Sequence, residues 1–169
     1  MRLLIAAVGK LKQGPERELN AHYLGRAEAL GRKLGLSPLS VIEVAESKAP
    51  TAPVRTEAEA KTLLAKLPPS YKIICLDRGG DQLGSDAFAR ALAKFRDGGA
   101  QGLAFLIGGA DGLGRQALAR ADQVLSLGPM TLPHGLARIV LAEQIYRAET
   151  ILSGHPYHRG PASPKVKDS

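Results

Sequence analysis

The chain has 169 residues, 44% of them hydrophobic and 23% charged, proportions that suit one soluble domain with a real core and exclude a disordered or fibrous chain. Its formal net charge of +7 favours a polyanionic partner, whereas 4% aromatic residues and no Trp argue against a base-stacking platform. A single cysteine excludes an internal disulfide and argues against a cysteine metal cluster.

Hydrophobic periodicity predicts alternating strands and helices. Leu3–Val8 reads as a strand ended by Gly9; it follows Met1 and Arg2 directly, with no long h-region or cleavage site, so the cytoplasm is the expected location. Pro15 opens a helix with Leu19, Tyr23, Ala27, Leu30 and Leu34 on one face. Leu39–Val44 is a second strand, and Ala45–Pro53 is a polar, proline-containing loop expected to be mobile. Thr56 is placed to cap a helix reaching about Leu67, where Pro68-Pro69 stops it. Tyr71–Leu76 is a third strand, apolar on both faces at its end, with Cys75 as a small buried hydrophobe. Ser85 caps a helix through Phe95, closed by Gly98-Gly99. Gly102–Ile107, a short helix, Gln123–Leu127 and a closing helix from Gly135 to about Leu152 complete the order. No apolar run approaches membrane-spanning length. The pattern predicts an α/β fold with a mostly parallel sheet of five to six strands and helices on both faces. Ligands of such sheets sit beyond the strands' carboxyl ends, here Leu76, Ile107 and Leu127.

Two of those ends are unusual. Gly108-Gly109-Ala110-Asp111-Gly112 is neither G-x-G-x-x-G nor a P-loop, so a dinucleotide or nucleoside-triphosphate site is disfavoured, and a simple turn and a close backbone approach to a ligand are equally compatible with it. Leu127–Pro133 is apolar yet loop-like. A buried loop must satisfy its backbone groups, which an adenine-like edge or a covering second copy would do. In the last helix, Glu143 and Arg147 have the i,i+4 spacing of a solvated ion pair. The tail His155-Pro156-Tyr157-His158-Arg159 gathers polar and aromatic groups. Its two histidines lack the carboxylate or thiolate company of a metal site, and no metal is expected.

Taken together, Leu106-Ile107-Gly108-Gly109-x-x-Gly112-Leu113, Thr131-Leu132-Pro133-His134-x-Leu136-x-Arg138, Glu143-Gln144-x-Tyr146-Arg147 and His155-Pro156-Tyr157-His158-Arg159 resemble the RlmH family. Those are SPOUT-class methyltransferases that modify N3 of a pseudouridine in large-subunit (23S) ribosomal RNA. The resemblance implies a single domain over residues 1–159 with a C-terminal trefoil knot, a homodimer, and S-adenosylmethionine as methyl donor. It places donor contacts at Leu76, Gly108, Leu127, Gly128, Pro129, Met130, Thr131 and Leu132, of which Pro129 offers no backbone donor. Residues 160–169 extend beyond the family's usual end as a polar segment expected to be disordered. An imide nitrogen must lose its proton before attacking a methyl group. The expected catalytic set is therefore Arg159 for charge stabilisation, His158 or His134 as proton acceptor, and Tyr157 to pack on or hydrogen-bond the base. Arg138 and Arg147 are expected to hold RNA phosphates or shape the dimer. The competing reading is a non-enzymatic, basic ribosome- or RNA-binding factor.

Overall fold

Alternate residues of the central strands serve two different cores. We describe residues 1–159 in a computed structural model; the extension from 160 to 169 lies outside them. Leu3, Ile5 and Ala7 of β1 (Arg2–Val8) join Leu103, Phe105 and Ile107 of β4 (Gly102–Ile107) and Ile74 on one face. There they meet Ala27 of α1 (Pro15–Leu34), Phe88 and Leu92 of α3 (Ser85–Asp97), and Leu141 and Ile145 of α5 (His134–Ser153). Leu4, Ala6, Val8, Ala104, Leu106 and Cys75 face the other way, onto Ala60 and Leu63 of α2 (Ala52–Ala65) and Ala117 of α4 (Arg115–Arg120). With both faces covered, the strands read as unbroken apolar runs.

The sheet is parallel throughout, with the order β2-β1-β4-β3-β5, where β2 is Leu39–Val44, β3 Tyr71–Gln82 and β5 Gln123–Ser126. Five strands are present among the described residues, and β3, β4 and β5 end side by side.

Several boundaries, among them the ends of α2, α3 and β5 and the start of α5, shift by a residue or two from the sequence expectation, and three differences have a clear local reason. Helix α2 begins at Ala52, because Pro53 fits a first turn that needs no N–H; Thr56 is already inside and its hydroxyl bonds back to the Pro53 carbonyl at 3.1 Å. Gly84, not Ser85, stands at the cap of α3, and the Ser85 hydroxyl donates instead to Gln144 Oε1 at 2.7 Å. Strand β3 runs six residues past Leu76, through a polar stretch that hydrophobic patterning cannot mark as strand. The loop before α2 is fastened to it: Ser47 N–H donates to Glu59 Oε1 (2.8 Å) and Arg55 Nη1 to the Ala49 carbonyl (3.0 Å).

One buried acid lies between the packed helices α1 and α5. Glu149 is fully buried, a Cβ on Gly31 of α1 would come 2.7 Å from its Oε1, and neither carboxyl oxygen has a partner among the described residues. Burial, with a smaller push from Glu28, raises its pKa to about 9 from an ordinary 4.5. The folded state thus holds a proton that the unfolded chain releases above its ordinary pKa. Below that value the pH-dependent penalty of Glu149 vanishes, and stability is lost progressively as pH rises from there towards 9. Glu149→Gln should therefore raise the melting temperature at pH 8 and flatten the decline between pH 5 and 9, by up to about 3 kcal/mol at neutral pH. Thermal melts across that range check it, and identical pH profiles for the two proteins would contradict it.

Candidate active site

The carboxyl ends of β3, β4 and β5 open into a cleft of about 710 Å³. Of the expected contact residues, Leu76, Gly108, Leu127, Gly128, Met130, Thr131 and Leu132 line it, whereas Pro129 does not. Gly108 must be glycine for a packing reason: a Cβ there would collide with the Gly112 carbonyl group on the far side of the turn. The turn is closed by a Gly112 N–H···O=C Gly109 bond of 3.1 Å. Helix α2 braces it, since Arg55 pairs with Asp111 at 2.8 Å and Glu57 accepts the Arg115 N–H at 2.6 Å. Across the cleft, the Ser126 hydroxyl and the backbone of Gly128 bond both ways at 3.2 Å, pinning the start of the apolar loop. Met130 on that loop is 79% exposed. A smaller cavity of about 320 Å³, lined in part by Leu83, Phe88, Val140 and Gln144, shares Ser126, Leu127 and Gly128 with the cleft.

The cleft's far wall is the first turn of α5. His134 lines it, with Nε2 3.3 Å from where a Cβ on Gly9 would sit. One turn on, Arg138 does not face solvent as expected: it is 1% exposed. Its guanidinium pairs with Glu43 Oε1 at 2.5 Å and donates to the carbonyls of Val8 (3.1 Å) and Gly9. Glu43 also accepts the Leu11 N–H at 3.0 Å. Burial pushes the Glu43 carboxyl up, but the bonds from Leu11 and Arg138 outweigh this and hold it below its ordinary value. Arg138 is thus unavailable to RNA phosphates and instead ties α5 to the end of β1.

The tail lies elsewhere. Tyr157, His158 and Arg159 are not among the residues lining their own chain's cleft. The Tyr157 ring packs on Tyr146 with centroids 4.8 Å apart, beneath the Arg147 guanidinium, and its hydroxyl donates to Glu143 Oε1 at 3.1 Å. Burial first, and the Glu143 carboxylate next, raise the Tyr157 hydroxyl to about 12, so it stays protonated at neutral pH. His158 Nε2 sits 3.7 Å from Asp86 Oδ1, and neither ring nitrogen has a hydrogen-bond partner among the described residues. Arg159 is exposed. Glu143–Arg147, read from spacing as a surface pair, proves to be the cradle for Tyr157 (2.6 Å). Asp77 and Arg78 also line the cleft and were missed; an acid and a base directly after a strand's apolar run were the only available signal.

A parallel sheet with a backbone-lined, largely apolar cleft at its strand ends defines an α/β protein built to hold a nucleoside-sized ligand. The chain belongs to the SPOUT methyltransferase family, whose model, described as predicted SPOUT methyltransferase, matches residues 1–158. It is 53% identical over 159 residues to "Ribosomal RNA large subunit methyltransferase H" of Rhodopseudomonas palustris, covering 94% of this chain and 99% of that one. A protein of the same name from Methylobacterium nodulans is 51% identical over 160 residues, covering 95% and 99%. A solved probable methyltransferase from Bordetella pertussis Tohama I is far more remote, at 15% identity and a TM-score of 0.46 over 88% of this chain and 95% of that one.

Replacing Arg138 strands the Glu43 carboxylate and two carbonyls. Arg138→Met should cost about 3 kcal/mol in urea unfolding, and Arg138→Met with Glu43→Gln should recover part of it, because no charge is then left unpaired. A single variant as stable as the parent would show that the tie carries no weight.

Proposed function

We propose that this protein transfers a methyl group to N3 of a pseudouridine in large-subunit (23S) ribosomal RNA, using S-adenosylmethionine. The observation that carries the reading is the cleft at the ends of β3, β4 and β5, in a chain half identical to proteins named as ribosomal RNA large-subunit methyltransferases. Its residues fit the donor: Leu76, Ile107 and Leu132 supply apolar walls for a purine, and the Gly108 turn and the Leu127–Leu132 loop bring backbone close to its edge. When bound, S-adenosylmethionine supplies a methyl group already activated on a positive sulfur. The protein must align the nucleophile, exclude water and take up one proton as the N3–C bond forms and the C–S bond breaks.

His134, on the cleft wall, is placed to accept that proton; His158 is the second candidate. Arg159 stabilises the negative charge that develops on the imide. Tyr157, protonated and with its one O–H proton given to Glu143, anchors the tail; its oxygen can accept a hydrogen bond but not act as base. Since the tail lies away from its own cleft, we take the working unit to be a homodimer in which one protomer's tail completes the partner's site. Leu136 and Val140, one turn apart on α5, leave apolar surface exposed (42% and 36%) beside the cofactor loop, which supports a covering copy. The knot belongs to the same reading, as does action in the cytoplasm, where ribosomes are. No helix among the described residues is long and apolar enough to cross a membrane. The +7 charge serves RNA phosphates. A non-enzymatic binding factor would share that charge but has no use for a nucleoside-sized cleft.

Calorimetry should detect S-adenosylmethionine binding to the purified chain; absence of heat and of any thermal shift would favour the binding factor. Arg159→Ala should lower turnover on ribosomal substrate roughly 100-fold while leaving donor binding unchanged. Mixing Arg159→Ala with Leu132→Arg, each strongly impaired alone, should restore activity if the site is shared between protomers, and failure to restore it counts against the composite site.

A further inference from the structure

The cleft has one charged corner that adenosine recognition does not use. Its source is an interruption in β3. The ladder to β5 breaks between Leu76 and Asp81, and Asp77-Arg78-Gly79-Gly80 stand out of it. The break is shaped on both sides. Asp77 Oδ1 accepts the Gly79 N–H at 2.8 Å, closing a tight turn. Gly80 lies so close to β5 that a Cβ on it would come 2.6 Å from the Val124 carbonyl carbon and 2.7 Å from Leu125 N. Asp77 and Arg78 both line the cleft.

Arg78 is exposed and forms no salt bridge among the described residues. Arg55, which reaches the cleft-lining Asp111 from α2, is taken by that carboxylate and the Ala49 carbonyl. The corner therefore presents an available guanidinium next to a carboxylate whose Oδ2 has no hydrogen-bond partner among the described residues. A single RNA phosphate would gain from Arg78 but be repelled by Asp77. A zwitterion satisfies both: an α-carboxylate takes the planar fork of an arginine, and the adjacent α-ammonium takes the aspartate.

We propose that Asp77 and Arg78 bind the amino-acid end of the methyl donor, Arg78 holding its carboxylate and Asp77 its ammonium. This rests on the donor reading above and adds the fixed point at the end of the ligand away from the purine. Anchoring both ends limits how far the sulfur between them can move, which is what an in-line transfer requires.

The test is calorimetry of the intact protein with two ligands, S-adenosylhomocysteine and 5′-methylthioadenosine, which shares the thioadenosine but lacks the amino-acid end. Arg78→Ala should weaken S-adenosylhomocysteine roughly 10- to 100-fold, and Arg78→Lys should recover part of that. Asp77→Asn, which retains an oxygen for the Gly79 N–H, should weaken it about 10-fold. All three should bind 5′-methylthioadenosine within about 2-fold of the parent, since a lost salt bridge to an absent group costs nothing. Unchanged S-adenosylhomocysteine affinity in Arg78→Ala overturns the proposal, as does an equal loss of both ligands. Reduced ribosomal RNA affinity with a shallower salt dependence, and no change for S-adenosylhomocysteine, assigns Arg78 to phosphate instead. If the parent protein binds neither small ligand, the donor reading itself falls, and this inference with it.

Discussion

A guanidinium buried between a strand end and a helix start constrains this molecule more than any other group. Arg138 reaches from α5 to the last carbonyls of β1, residues some 130 positions apart in the chain. Buried ion pairs add little net stability, because desolvation offsets most of the attraction, but they punish any arrangement that leaves a charge unpaired. This tie is therefore best seen as a constraint on position. It sets where α5 begins, hence where His134 stands on the cleft wall, and through Glu43 and Leu11 it also settles the path of the chain leaving β1.

Much of the architecture was legible in the sequence because parallel strands covered on both faces are plain apolar runs. β1, β2 and β4 begin and end within a residue of their expected limits. The cleft was legible too, since strand-end loops are where such sheets bind and two of the three loops here have compositions that ordinary loops lack. The illegible parts share a cause: each depends on a partner distant in sequence. Arg138 has the composition of a surface residue, and only its pairing with Glu43, 95 residues earlier, makes burial tolerable. The outer half of β3 is polar and glycine-rich, and becomes strand only because β5 lies beside it. Glu143 and Arg147 show an ordinary helical spacing that says nothing of the tyrosine they hold.

The tail gains its order from the helix it follows. A ring packed on Tyr146, an arginine over its face and a carboxylate at its hydroxyl position Tyr157 from three directions, so the next two residues leave a well-supported point. A segment leaving the end of a helix ordinarily has wide freedom. Here the anchor stands immediately before His158 and Arg159, the residues proposed to act on the substrate, and fixes the point from which they depart.

The two cavities meet at Ser126, Leu127 and Gly128, a wall barely more than one strand of backbone thick. The wall is stitched by one hydroxyl bonding both ways across two residues. Both cavities therefore depend on the same three residues for one of their walls. The smaller one is also lined by Val140 and Gln144 of α5, so the loop that walls the cleft backs onto that helix. A substitution at any of the three shared residues would reshape both spaces at once.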